Sequence, residues 1–227
     1  MSILAGGCTA VGAVFLFAKR NWSNASLAFY LGLASGVMVA VVVFDMMPSA
    51  LLYSGWLQGL LGFGLGLLVL RGVSTDNNVS HRNSLVGLGY LIMLGIALHD
   101  LPEGMAIALG SEMKARTGFV IALAIGIHNI PEGMAIAAPL LMGGLSRLNI
   151  LFKTLLIGII TPFGTLIGFW ALALLPGFLP LLLGLASGIM IYLVISQLWP
   201  QASARDRKAR WWGFLLGMAI ILLATFI

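Results

Sequence analysis

Long apolar runs separated by short polar connections dominate the chain. A helix needs about 20 mainly apolar residues to cross a bilayer. Eight stretches meet or approach that length: 2–18, 26–51, 56–70, 85–110, 117–142, 150–174, 179–199 and 211–227. Each predicts a membrane-spanning helix. The longest connection, 71–84, is polar (STDNNVSHRN) and is expected to lie in water. Basic residues orient the helices. With the N-terminus outside, the inner connections carry Lys19, Arg20, Arg71, Arg82, Arg147, Lys153, Arg205, Arg207, Lys208 and Arg210. The outer ones carry only Lys114 and Arg116. Lys and Arg collect on the cytoplasmic side of membrane proteins, so a ten-to-two split predicts an even number of helices with both termini outside.

Composition fits this pattern. Hydrophobic residues make up 60% of the 227 positions and charged residues 8%, against roughly a quarter charged in a soluble domain. No long polar block interrupts the chain, so residues 1–227 are expected to form a single transmembrane domain. The first apolar run has no basic residue before it and leads into further spans, which reads as a retained helix rather than a cleaved signal. The net charge of +5 belongs to the connections and gives no reason to expect nucleic acid. Cys8 is the only cysteine, which excludes an internal disulfide and a cysteine-based zinc site.

Two repeats organise the helices. HDLPEGMAIALG at 99–110 recurs as HNIPEGMAIAAP at 128–139, with eight of twelve positions identical. The copies lie on the fourth and fifth helices, which run in opposite directions. LGLASGVM at 31–38 recurs as LGLASGIM at 183–190, with seven of eight identical, and the same offset of 152 carries Pro48 onto Pro200 and Ala50 onto Ala202. Helices two and seven are also opposed. The chain therefore reads as three helices, a central pair and three inverted helices. That layout, with polar proline-containing helices near mid-membrane, marks secondary transporters. Ser35 and Ser187 within the second repeat read as packing residues.

The chemistry sits in the central pair. Asp45, Asp100, Glu103 and Glu132 fall inside predicted spans, as do His99 and His128. An ionisable group in the bilayer costs at least about 2.5–3.5 kcal/mol, so it persists where it pairs, lines a wet path or holds an ion. His99 and Glu103 are four residues apart and share one helical face, and His128 and Glu132 repeat the spacing. Two such helices facing each other offer two imidazoles and two carboxylates at one depth, a set that suits zinc, iron, manganese or cobalt. Without a thiolate, such a site can release its ion. Pro102 and Pro131 free the carbonyls of Leu98 and Ile127, while Gly104 and Gly133 allow close backbone approach. Asp100 and Asn129 point to an adjoining face, where they either form part of a second site or hand the ion onward. A buried pair serving helix packing and a proton relay are the competing uses of these residues. Two symmetric copies weigh against packing alone.

The doubled H-x-x-P-E-G motif on helices four and five, within this inverted layout, resembles the ZIP family (Zrt-, Irt-like proteins) of divalent-metal transporters over nearly the whole chain. The resemblance implies an all-α fold of eight transmembrane helices. It implies metal coordination by His99, Glu103, His128 and Glu132, with Asp100 and Asn129 at an adjacent second site. It also implies zinc as the main substrate, with iron, manganese, cobalt or cadmium carried by some members. Three regions depart from the family pattern. Several members place a Glu before the proline of helix six to complete a two-metal centre, where this chain has Thr161. Many carry acidic residues near the end of helix seven, where Gln197 and Gln201 stand here. The loop after helix three, often rich in histidine, contains only His81.

These readings converge on a metal-ion transporter of the inner (plasma) membrane that moves its cargo into the cytoplasm and is not an enzyme. The metal is cargo, so no resident cofactor is expected. Bilayer lipid is a partner, and a homodimer is an admissible assembly. Asp45 either draws cations to the entrance or serves helix packing. Met105 and Met134 read as core residues, and the basic run 205–210 as a solvated topology signal near anionic lipid. Two alternatives remain: an intramembrane metal-dependent hydrolase and a proton-coupled carrier of a non-metal solute.

Overall fold

The computed structural model describes residues 1–19, 21–52, 55–76, 84–174 and 176–226. Arg20, His81 and Arg82 lie outside the described residues. Those described form eight helical rods and no strand. In chain order they are α1 (Ser2–Phe17), α2 (Asn24–Val41, Val42–Met46 and Met47–Leu52), α3 (Trp56–Asp76), α4 (Leu85–Met113) and α5 (Ala115–Met142). Then follow α6 (Arg147–Gly158 and Ile160–Leu174), α7 (Leu179–Leu193, Val194–Leu198 and Trp199–Ser203) and α8 (Arg207–Phe226). Five rods, α2, α4, α5, α6 and α7, are long and apolar enough to cross a membrane, while α1 and α3 are shorter apolar helices. The outer surface is unusually apolar: Leu4 and Leu148 are 78% exposed and Trp170 79%. His99, Asp100, Glu103, His128, Asn129 and Glu132 are all buried. An apolar exterior around a polar interior is the arrangement hydrocarbon solvent selects.

Local chemistry moves several boundaries from their expected places. Ser84 accepts the amide of Gly87 at 2.9 Å and starts α4 at Leu85, as expected, although the helix runs on to Met113 rather than 110. Ser146 accepts the amide of Asn149 at 3.3 Å, so α6 begins at Arg147 rather than 150. Such hydroxyl caps satisfy otherwise orphaned first-turn donors. The third helix runs six residues beyond 70, to Asp76. Between α4 and α5 only Lys114 leaves helical geometry (φ −159°, ψ 139°). The hairpin is tight because Ser111 packs against Gly118, leaving no room for a β-carbon there. Arg210 also departs from expectation: its guanidinium is buried rather than solvated. It lies 3.9 Å from the Trp199 ring centroid and 5.2 Å from that of Trp211, and it donates to Ser203 Oγ. A cation over aromatic faces recovers part of the solvation it gives up.

Matching contacts recur at the repeat offsets. At Val42–Met46 the helix widens by one residue, with the amide of Met47 bonding five residues back to Val42, and at Val194–Leu198 the amide of Trp199 does the same to Val194. The widened turns are 152 apart, and they hold Asp45 and Gln197. Glycine crossings repeat in the same way. A β-carbon on Gly32 or Gly36 of α2 would strike the carbonyls of Arg210 or Phe214 on α8, and one on Gly184 or Gly188 of α7 would strike Gly59 or Phe63 on α3. Gly12 of α1 meets Ile130 of α5 as Gly164 of α6 meets Leu101 of α4. Gly6 and Gly158 meet each other. Since lipid is as apolar as leucine, close backbone approach at small residues is a main source of helix cohesion in bilayers.

These crossings make a sign-reversing test. Gly64 has open space around its Cα, so Gly64→Ala should stabilise the protein by up to about 1 kcal/mol through helix propensity alone. Gly184→Ala should destabilise it by about 1–3 kcal/mol, because the new methyl meets the Gly59 carbonyl. Thermal unfolding in detergent reads both, and equal shifts would show that the crossing carries no packing energy.

Candidate metal centre

The antiparallel α4 and α5 place their motifs face to face, and the side chains pair across the helices. His99 donates through Nδ1 to the carbonyl of Gly95 at 3.0 Å, one turn back, which fixes the ring. Its Nε2 faces Glu132 Oε1 of α5 at 3.2 Å. His128 Nε2 faces Glu103 Oε2 of α4 at 3.1 Å. Asp100 Oδ1 lies 3.6 Å from His99 Nε2. The spacing predicts the His and Glu of each helix on one face and all four groups at one depth. The observed bonds are crossed because, in an antiparallel pair, the His of each motif sits level with the Glu of the other. One turn, about 6 Å of rise, separates the two levels along the axes.

His99 carries a chemical consequence. A carbonyl only accepts, so Nδ1 holds the ring proton, and in a neutral imidazole Nε2 is then a bare lone pair. That lone pair points at a carboxylate oxygen. A proton or a cation shared by the two relieves the repulsion. The surroundings supply few protons. Both oxygens of Asp100, Oε1 of Glu103, Oε2 of Glu132 and Oδ1 of Asn129 are buried without a hydrogen-bond partner. Asn129 spends its amide on the carbonyl of Ala5 in α1, at 3.0 Å. Asp100, its counterpart in the repeat, has no proton to give when ionised. Buried acceptors that outnumber donors call for a cation. His99, Asp100 and Glu103 each present a ligand atom within 4.8 Å of the others. That spread is close to the roughly 4 Å between ligands of one ion bound at about 2.0–2.2 Å.

A cavity of about 130 Å³ reaches this cluster and is lined by Asp45, Ser49, Glu103, Thr117, Leu183 and His128, among others. An adjoining cavity of about 180 Å³ is also lined by Asp45 and His128. Asp45, carried on the widened turn of α2, thus shares a space with two motif residues. Gln197, on the matching turn of α7, is buried with Nε2 unpartnered. Gln201 binds Arg205 at 2.6 Å. Met134 packs in the main apolar core, and Met105 is buried. Two buried hydroxyls without a hydrogen-bond partner, Thr9 and Thr161, complete the polar set. Thr9 had escaped notice, although the offset of 152 maps Thr161 onto it.

The family profile described as "ZIP Zinc transporter" matches residues 71–225. The chain is 31% identical over 245 aligned positions to the zinc transporter ZupT of Salmonella arizonae, covering 100% of this chain and 95% of that protein. It is 30% identical to ZupT of Escherichia fergusonii, with 97% and 93% covered, and 33% identical to ZupT of Corynebacterium glutamicum, with 99% and 96% covered.

The crossed pairing is open to a double-mutant cycle. In metal-free detergent-solubilised protein, His99→Gln and Glu132→Gln should show a coupling energy of about 1–3 kcal/mol in unfolding. The same-helix pair His99→Gln and Glu103→Gln should couple more weakly. A larger coupling within α4 than across to α5 would contradict the arrangement.

Proposed function

Because the chain belongs to the ZIP family of zinc transporters, a family of multi-pass membrane carriers rather than enzymes, we propose that it moves a divalent metal ion into the cytoplasm. Zinc is the main cargo, with iron, manganese, cobalt and cadmium as the competing ions. His99, Glu103, His128 and Glu132 bind it, and Asp100 and Asn129 form an adjacent position. One observation carries this reading: two crossed His–Glu pairs stand among buried carboxylate oxygens that have no donor. A doubly charged ion supplies what that set lacks, and imidazole with carboxylate is a donor mixture borderline ions accept. The proposed frame is a single domain of eight spans, 3+2+3, with both termini outside the inner membrane. The recurring glycine crossings and the paired widened turns support the inverted layout.

The crossings also suggest how access alternates. Glycine contacts knit α1 to α5 and α6, and α4 to α6, into one group; they join α2 to α8 and α3 to α7, and Gly59 of α3 packing on Ala50 of α2 links these pairs into a second group. All six proposed ligands ride on the first group, and Asp45 belongs to the second. The cavity that joins Asp45 to Glu103 and His128 lies between the groups. In the proposed cycle Asp45 gathers the ion at the outer entrance, and movement of one group against the other carries the His–Glu site inward. Bilayer lipid surrounds the exposed apolar faces, and a homodimer is compatible with them.

Uptake into proteoliposomes tests the reading. His99→Ala with His128→Ala should reduce zinc uptake to the level of protein-free vesicles, and Asp45→Asn should slow it mainly at low zinc. Competition among zinc, iron, manganese and cadmium ranks the cargo. Undiminished uptake by the double histidine variant would refute the site.

A further inference from the structure

Resting on that reading, we propose that Thr9 of α1, with its repeat counterpart Thr161 of α6, contributes a hydroxyl oxygen to the transported ion or its bound water. The site then draws on four helices instead of two, and on neutral as well as charged oxygen.

The argument starts from the buried hydroxyls. Among the described residues six are buried: Thr9, Ser35, Thr154, Thr161, Thr165 and Ser187. Four of them follow the usual habit of hydroxyls inside helices and donate to the carbonyl four residues back: Ser35 to Leu31 at 2.7 Å, Thr154 to Ile150 at 3.0 Å, Thr165 to Thr161 at 3.0 Å and Ser187 to Leu183 at 2.8 Å. Thr9 and Thr161 make no hydrogen bond. The division follows the repeat. Ser35 and Ser187 are 152 apart and both bond back; Thr9 and Thr161 are 152 apart and neither does.

Position explains the exception. The carbonyl of Ala5, which Thr9 would ordinarily use, accepts the side-chain amide of Asn129. Two residues before Thr161, at Ile159, α6 turns, and the Ile159 amide bonds to the carbonyl of Leu155 at 3.1 Å. Each threonine also stands beside the centre. The carbonyl of Thr9 abuts Gly133, the residue after Glu132, and the carbonyl of Thr161 abuts Gly104, the residue after Glu103. Each threonine backbone thus packs on the glycine that follows a Glu with one unpartnered oxygen. A fully buried hydroxyl left unpaired is costly, and a hydrated or directly bound cation between hydroxyl and carboxylate removes that cost. Hydroxyl is a hard neutral donor, so it favours zinc or manganese over the softer cadmium.

The test is binding by purified protein in detergent, titrated with zinc, manganese or cadmium alone. Thr9→Val keeps the shape and removes the oxygen. It should weaken zinc and manganese binding by about five- to tenfold, as for one lost hydrogen-bonding partner, and cadmium binding less, so the manganese-to-cadmium ratio falls. Thr9→Ser should bind all three within about twofold of the parent on the same scale. Thr161→Val should reproduce the shift, and it carries the test alone if Thr9→Val does not fold. A parent that binds these ions while both valine variants retain its affinities and its ratio would overturn the inference and leave the proposed transport intact. A parent that binds none of the three would overturn both.

Discussion

An excess of buried oxygen acceptors over donors governs this structure. Asp100, Glu103 and Glu132 lie inside apolar helices, and the two imidazoles that face them cannot supply enough protons to satisfy them. Charges left in this state in a low-dielectric interior are costly, so the surrounding helices must hold the set in place. They do so by covalent economy as much as by packing. The motif glycines sit next to the carboxylates, and at each one a helix backbone, α1 or α6, presses close enough to exclude a β-carbon. The residues that position the charged groups and those that lock the helices are thus neighbours in sequence.

Close packing of this kind divides the molecule unevenly. Within the first group, and within the α2–α8 and α3–α7 pairs of the second, backbone meets backbone at glycine. Between the groups, the contact at Gly95 of α4 is with the flexible end of the Leu193 side chain of α7. Side-chain contacts yield more readily than backbone ones, because a leucine can change rotamer while a carbonyl in a helix cannot move alone. The cavity beside Asp45 opens along this softer seam. Rigidity within groups and compliance between them therefore arise from which residues, glycine or leucine, the sequence places at each crossing.

Much of this was legible in the chain. Apolar runs located the rods, and the repeated motifs named the histidines, carboxylates and carboxamide that α4 and α5 bury together. The pairing was not legible, because helical periodicity describes one helix and says nothing about the axial offset of its neighbour. His99 and Glu103 share a face, yet the His99 Nε2 faces Glu132. Boundaries at Lys114 and Arg147 depended on a Ser111–Gly118 contact and a Ser146 cap, both tertiary or local details beneath hydropathy. Arg210 looked solvated because its aromatic enclosure combines Trp211 beside it with Trp199 eleven positions away. Thr9 was within reach: the repeat offset, once found, assigns every special position a partner worth inspecting.

The backbone repeats where the chemistry does not. At the two widened turns stand Asp45 and Gln197, and after the two histidines stand Asp100 and Asn129. The difference has a definite physical meaning in the proposed orientation. A carboxylate at the outer turn attracts a cation through a net charge, whereas a carboxamide at the inner turn offers only a dipole, and charge–charge attraction is the larger and longer-ranged of the two. In the proposed cycle the ion therefore dwells on the side of Asp45 and leaves more easily on the side of Gln197. Such asymmetry cannot drive net flux, because a passive carrier obeys whatever electrochemical gradient it meets. Under the proposed cycle it sets the affinity seen from each face, so capture and release each meet a different turn, although the two turns are built on one backbone plan.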